Sequence, residues 1–365
     1  RMYSWNLFVL DFVRRFFVSC VQIFEAYAVR TLMKFGCDWR KISHKSKCKK
    51  DSESTYNSKE EKIMSILGLI AAFGGGVFAA AIGGVPAFIM TGVFSIVGAV
   101  AGMCGAAGAS NILINYFAFG SFFGPHIAFA GGVAAAAYAK KKGVSENGAD
   151  IVSALAGLNE PDVLLVGGVF GVIGYLFKEL VIANLFAGTI SPRLITDAPG
   201  ITVFCSAILV RLIFGGKLKT GSEFMSKGKT FTTTLVIAFS YSLVVAGVYA
   251  AAVGAGVPVE DFGGLYHVLI FGLAAVGLTF AVAGQAFFGC HHIVIIAAEA
   301  AVQSYATTGN AYMALAMGVI FGTISGLLAD IAGTSINSGT DSHIDPPATA
   351  IFIMTFVVNA IFPVL

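Results

Sequence analysis

From residue 64 onward the chain is a succession of apolar stretches separated by short polar joints. Apolar runs fall at 64–83, 87–108, 113–139, 161–188 and 199–215, then at 230–254, 264–284, 286–306, 311–332 and 348–364. Runs of this kind are close to the roughly 20 residues a helix needs to cross the hydrocarbon core of a bilayer. The pattern predicts an all-α integral membrane protein of about ten transmembrane helices.

The same pattern is written twice. GVFAAAIGGVP (76–86) resembles GVYAAAVGAGVP (247–258), and FFGPHI (122–127) resembles FFGCHHI (287–293). FGVIGYLFKE (170–179) pairs with FGTISGLLAD (321–330), AGT recurs at 187–189 and 332–334, and DAPGITVF (197–204) recurs as DPPATAIF (345–352). Five anchors in one order define units at 64–228 and 229–365, each with five spans. An odd number of crossings forces the second unit to enter from the opposite side. The expectation is therefore two five-helix inverted-topology repeats, with a site near their interface.

Residues 1–63 break the pattern. Their aromatic stretch is interrupted by Asp11, Arg14, Arg15, Glu25 and Arg30, and a polar basic run follows. They read as an amphipathic or disordered segment, or as a leader ahead of a start at Met64, since Lys-Glu-Glu before it can be encoded by a purine-rich ribosome-binding sequence.

Composition agrees with the spans. Hydrophobic residues make up 57% and charged residues 12%, mean hydropathy is +0.83, and 44 glycines suit closely packed membrane helices. A net charge of +3, with no basic block interleaved with aromatics, gives no nucleic-acid surface. Six cysteines form no CxxC pair and no zinc spacing, and no P-loop, nucleophile elbow or zinc-protease helix occurs. No enzyme and no cofactor is expected, and the partners are the lipid bilayer and a small solute. Helix faces of small residues permit a homo-oligomer.

Positive charge clusters at Lys140-Lys141-Lys142 and at Lys217, Lys219, Lys227 and Lys229. The positive-inside rule then makes the loops 140–160 and 216–229 cytoplasmic and puts the start of the 64–365 core outside.

Ionisable groups inside spans mark candidate chemistry. His126 and His292 occupy one repeated position, either bonded across helices or lining a solute path. His292, Glu299 and Gln303 recur at i, i+7 and i+11, one face of a helix. A histidine beside a carboxylate is the material of a proton relay, which makes Glu299 a coupling candidate. Glu179 and Asp330 match across the repeats, as charge at a membrane surface or as a coupling pair. Asp197 and Asp345 precede prolines, which fits helix N-caps and also fits a broken segment where a carboxylate meets solute. Asp341, His343 and Asp345 have no diagnostic metal spacing. Gly318, Gly322 and Gly326, echoed by Gly167 and Gly171, read as packing ridges.

The run FGPHIAFAGGVAAAAYAKKKG, with NEPDVLLVGGVFGVIGYLF after it, resembles a group of uncharacterised bacterial membrane proteins loosely labelled permeases. That resemblance covers 64–365 and implies an inner-membrane location. The repeat plan is similar in architecture to ammonium and urea channels. A permease for a small ion or polar solute, possible coupling to protons included, is the expectation. A passive channel for a neutral solute and a non-transporting scaffold subunit are the alternatives.

Overall fold

A computed structural model describes residues 66–185, 195–218 and 221–362. The expectations for residues 1–63 and for Lys219 lie outside the described residues. Among the described residues the protein is all-helical, without strands.

The helices are α1 (Ile66–Ile82), α2 (Gly84–Met103), α3 (Ala107–Asn111, widening into a π segment at Ile112–Ala118), α4 (Ala128–Lys142) and α5 (Pro161–Ile182). Then come α6 (Ala198–Gly215), α7 (Gly228–Gly254), α8 (Gly263–Val282), α9 (His291–Thr308), α10 (Ala311–Ser335) and α11 (Pro346–Ile361). Six of these, α2, α5, α6, α7, α8 and α10, are long and apolar enough to cross a membrane, and α1 and α11 are shorter apolar helices.

Two of the expected spans are interrupted. The run 113–139 is not one helix: turns occupy 119–127, and α4 begins only at Ala128. Pro125 has no N–H to donate and disfavours helix at the residue before it, and Gly120 and Gly124 flank it. The run 286–306 likewise starts as a helix only at His291, after a non-helical stretch around Gly284 and Gly289. His126 therefore sits in the turn ahead of α4 rather than in its first helical turn. At 15 residues α4 extends about 22 Å, short of a roughly 30 Å hydrocarbon core. Both α4 and α9 stop at a left-handed glycine, Gly143 (φ 84°) and Gly309 (φ 63°), a conformation in which a Cβ would be strained.

Small residues set the packing. Gly318, Gly322 and Gly326 on α10 lie against Ala246, Ser242 and Ala238 of α7 on one side, and against Ala301, Ala297 and Ile293 of α9 on the other. Gly167 and Gly171 on α5 do the same between α1 and α4: Gly167 abuts Gly76 and Gly131, and Gly171 abuts Ala72. Backbones this close gain dispersion contacts that lipid cannot supply.

Two helix pairs pack antiparallel on each other. In the α2–α8 pair Gly92 meets Gly272, and Gly102 lies near Leu265. In the α6–α11 pair Gly200 lies near the Ala348 carbonyl, Thr196 donates to the Phe352 carbonyl at 2.5 Å, and Asn359 donates to the Ile195 carbonyl at 3.0 Å.

Candidate functional site

The polar face of α9 meets the polar face of α11. Thr355 donates to the Glu299 carboxylate at 2.8 Å, and one turn on Gln303 donates to Asn359 at 2.8 Å. The spacing is i, i+4 on both helices, so the four side chains form a two-rung ladder. Asn359 extends it to the Ile195 carbonyl, just before the aspartate that caps α6. The Oε1 of Gln303 is buried with no partner among the described residues.

Two aspartates begin the helices that flank this ladder. Asp197 accepts the Gly200 N–H at 2.5 Å and Asp345 accepts the Ala348 N–H at 2.7 Å, each with proline in the first turn behind it. The capping expected for both is present, and each cap is surrounded by further polar groups.

Around Asp197, Lys178 and Glu299 lie within electrostatic reach, and Lys178 in turn reaches His126. Lys178 pairs with Glu179 at 2.9 Å. His126 is 1% exposed, and its Nδ1 has no partner among the described residues. Pairwise electrostatic reach thus links His126 and Asp197 to the Lys178–Glu179 pair, and Asp197 to Glu299.

Around Asp345 the partners are histidines. His343 Nε2 lies 3.1 Å from the Asp345 carboxylate, and His291 and His292 are within its electrostatic reach. His292 is 3% exposed, with both ring nitrogens unpartnered among the described residues, and His291 Nδ1 is likewise unpartnered. His291 packs on Phe88 with ring centroids 4.8 Å apart, and Phe88 also meets Phe129 and Phe271. His343 touches the edge of Phe129, so both histidines rim one aromatic cluster.

Asp330 stands elsewhere: its carboxylate accepts the Ser226 N–H at 2.9 Å, tying the segment before α7 to the end of α10. Glu179 and Asp330, matched in sequence, therefore have different partners. On α9, Glu299 and Gln303 meet α11, and the backbone carbonyl of His292 accepts from Ser325 of α10 at 2.7 Å.

Some participants escaped the sequence reading. His291, adjacent to His292, is the residue that the FFG anchor alone would align with His126. Lys178, next to Glu179 in the chain, is another. Thr355 and Asn359 carried a signal in their i, i+4 spacing. Arg211 is fully buried and donates through all five N–H groups, to Ser342 Oγ, Thr340 Oγ1 and the carbonyls of Leu218, Ile336 and Ser342, at 2.6–3.2 Å. It clamps the polar connection that ends at Asp345, and nothing in the local pattern of α6 announces that task.

Among the described residues no group of three His, Cys, Asp or Glu side chains is placed to hold a metal ion. No curated protein and no solved structure matches the chain. One family does, over residues 58–227 and 237–364. The chain belongs to the family of unknown function DUF7973.

Proposed function

We propose that this protein is a permease of the bacterial inner membrane for a small ion or polar solute, built as two inverted five-helix repeats and coupled to protons through Glu299. The observation that carries the reading is the ladder of Glu299, Thr355, Gln303 and Asn359 beside the paired caps Asp197 and Asp345, a run of polar contacts within apolar helices. Ionisable groups inside a membrane protein are costly and concentrate along solute and proton paths.

The helix contacts support the repeat. A two-fold axis in the membrane plane makes each helix on the axis pack antiparallel against its own counterpart. The α2–α8 and α6–α11 pairs have that arrangement, and each joins helices carrying matched sequence or matched order. The histidine anchors are treated alike too. Gly174 and Ser325 hold the same place after Phe-Gly, and the former lies under the His126 carbonyl while the latter donates to the His292 carbonyl.

In this reading His126, His292, Gln303, Asp197 and Asp345 contact solute or line its path. Glu299 carries the proton, and Glu179 and Asp330 hold the ends of α5 and α10. The test uses protein in liposomes loaded with a pH-sensitive dye, with imposed gradients of small ions and polar solutes. A solute-dependent pH change in wild type that disappears in Glu299→Gln supports the reading. Solute uptake by light scattering with no pH response turns it to a passive channel. Silence in both from folded protein turns it to a scaffold subunit.

A further inference from the structure

The end of α2, the helix α3 and the start of α8 line an open cavity of about 450 Å³. Ligand sites run from roughly 300 to 1,000 Å³. The cavity shares no residue with the α9–α11 ladder. Gly102 keeps it open, since a Cβ there would run into the Leu265 side chain and come within 2.8 Å of the Ser110 Oγ.

The lining is mixed but uncharged. Ile114 and Leu265 supply apolar surface, and Ser110, Asn111 and Asn115 supply polar groups. Ser110 is 8% exposed, and its hydroxyl, turned toward Gly102 and the cavity, has no hydrogen-bond partner among the described residues. Leaving a buried hydroxyl in that condition costs on the order of 1–3 kcal/mol unless a group from outside meets it. Asn115 donates to Asn111 Oδ1 at 3.0 Å, which uses one donor and one acceptor of the amide pair. Both N–H groups of Asn111, the second N–H of Asn115 and the Asn115 oxygen remain to be met. No Lys, Arg, Asp or Glu occurs from Met64 to Ala139 or within α8, so neither wall selects a charged ligand. Neutral donors and acceptors beside apolar surface match a group that gives and takes hydrogen bonds and also presents C–H faces. Glycerol and sugar units have that chemistry.

The place of the cavity in the fold names the source of such a group. Gly102 is the last residue but one of α2 and Leu265 the third of α8, and both helices are long and apolar enough to cross a membrane. The ends of such helices lie at headgroup level, where tyrosine is enriched. Ile112 and Tyr116, 53% and 68% exposed, follow Asn111 and Asn115 on α3 and offer apolar surface beside the rim. Here α3 widens into its π segment, a rare form that recurs at functional sites.

We propose that the cavity holds the uncharged, hydroxyl-bearing headgroup of a membrane lipid, a glycerol or sugar unit, with its acyl chains against Ile112 and Tyr116. The site is read by binding, needs no flux, and stands or falls apart from the permease reading.

The test is native mass spectrometry of the full chain released from nanodiscs. The discs contain equal parts of monoglucosyl diacylglycerol, phosphatidylglycerol and phosphatidylcholine, and the readout is the lipid retained. One glucosyl lipid per chain is expected, favoured several-fold over the other two. Asn111→Leu and Asn115→Leu together should lower its retention roughly tenfold, as the loss of one or two hydrogen bonds would. Ala107→Phe, which sets a ring in the cavity wall, should abolish it. Retention that follows the lipid mixture without preference overturns the proposal, and so does a preference for the charged phosphatidylglycerol. Undiminished retention in the double variant overturns it too, or in Ala107→Phe should the double variant fail to fold. A saturable rise of the unfolding midpoint with free glucose or glycerol, with no glucosyl lipid retained, overturns the lipid as the source.

Discussion

The Thr355 hydroxyl donates to the Glu299 carboxylate at 2.8 Å across the α9–α11 seam. Gln in place of Glu299 can still accept that hydrogen bond but cannot release a proton. Glu299→Gln is therefore expected to fold with an unfolding midpoint near wild type and to lose solute-driven pH change in liposomes. Thr355→Val should cost about 1 kcal/mol of stability, and equal loss of midpoint in both variants would argue for a purely structural ladder.

Gly174 and Ser325 meet the carbonyls of the two paired histidine positions in different ways. A Cβ on Gly174 collides with the His126 carbonyl, while Ser325 gives its hydroxyl to the His292 carbonyl. Gly174→Ala should depress the yield of folded protein sharply, because backbone on both sides must move. Ser325→Ala should cost only about 1 kcal/mol. Chromatographic yield and unfolding midpoints decide between these, and a harmless Gly174→Ala would contradict the close approach.

Arg211 satisfies five donors on one connection. Arg211→Met should lower stability by on the order of 3 kcal/mol or more, since several buried acceptors lose their partner together. Arg211→Lys should recover little, because an ammonium lacks the planar fork. Faster proteolysis within 336–342 in both variants is the accompanying expectation.

Asp150 lies in the joint between α4 and α5. Burial pushes its carboxyl up, but hydrogen bonds from Ser153 and from the N–H groups of Ser153 and Val152 outweigh that and hold it below the usual carboxylate range. A folded-state pKa below the unfolded one gives stability that is present above the ordinary value near 3.9 and is lost as pH falls through the folded value. Asp150→Asn should make the acid limb of the unfolding midpoint shallower below about pH 5. An unchanged limb would remove this group from the acid response.

The proposed inverted repeat, read with the lysine clusters, assigns each loop a side. In a variant with exposed Cys104 replaced, Glu146→Cys and Ser222→Cys should react with an impermeant maleimide only from the cytoplasmic side. Thr307→Cys, in the exposed last turn of α9 just before Gly309, should react only from outside. Labelling of all three from one side would defeat the inverted arrangement.

Most of the helix layout was legible because apolar length and glycine spacing are one-dimensional signals. Gly318, Gly322 and Gly326 announced a packing ridge, and they lie in one. The breaks at 119–127 and before His291 were signalled by Pro125 and the glycines near it, yet hydropathy summed across them read continuous spans. The site was legible in part. Glu299 and Gln303 pointed to one face by spacing, but the partners that complete it, Thr355 and Asn359, lie 56 residues away. Arg211 was illegible for the same reason, because its acceptors are mostly backbone carbonyls, which every sequence has.

The Arg211 clamp also constrains how the chain is made. Several of its acceptors are 125–131 residues downstream, beyond α10. While the ribosome is still producing α7 to α10, a guanidinium near the end of α6 has no such acceptors, and an arginine at the centre of a membrane helix costs about 2.5–3.5 kcal/mol on insertion scales. Until residues 336–342 emerge, α6 can rest only with that end drawn toward water and headgroups. The first half of the protein is therefore unfinished until nearly the last helix is synthesised, and a truncation before residue 336 should leave a product that membrane quality control recognises and removes.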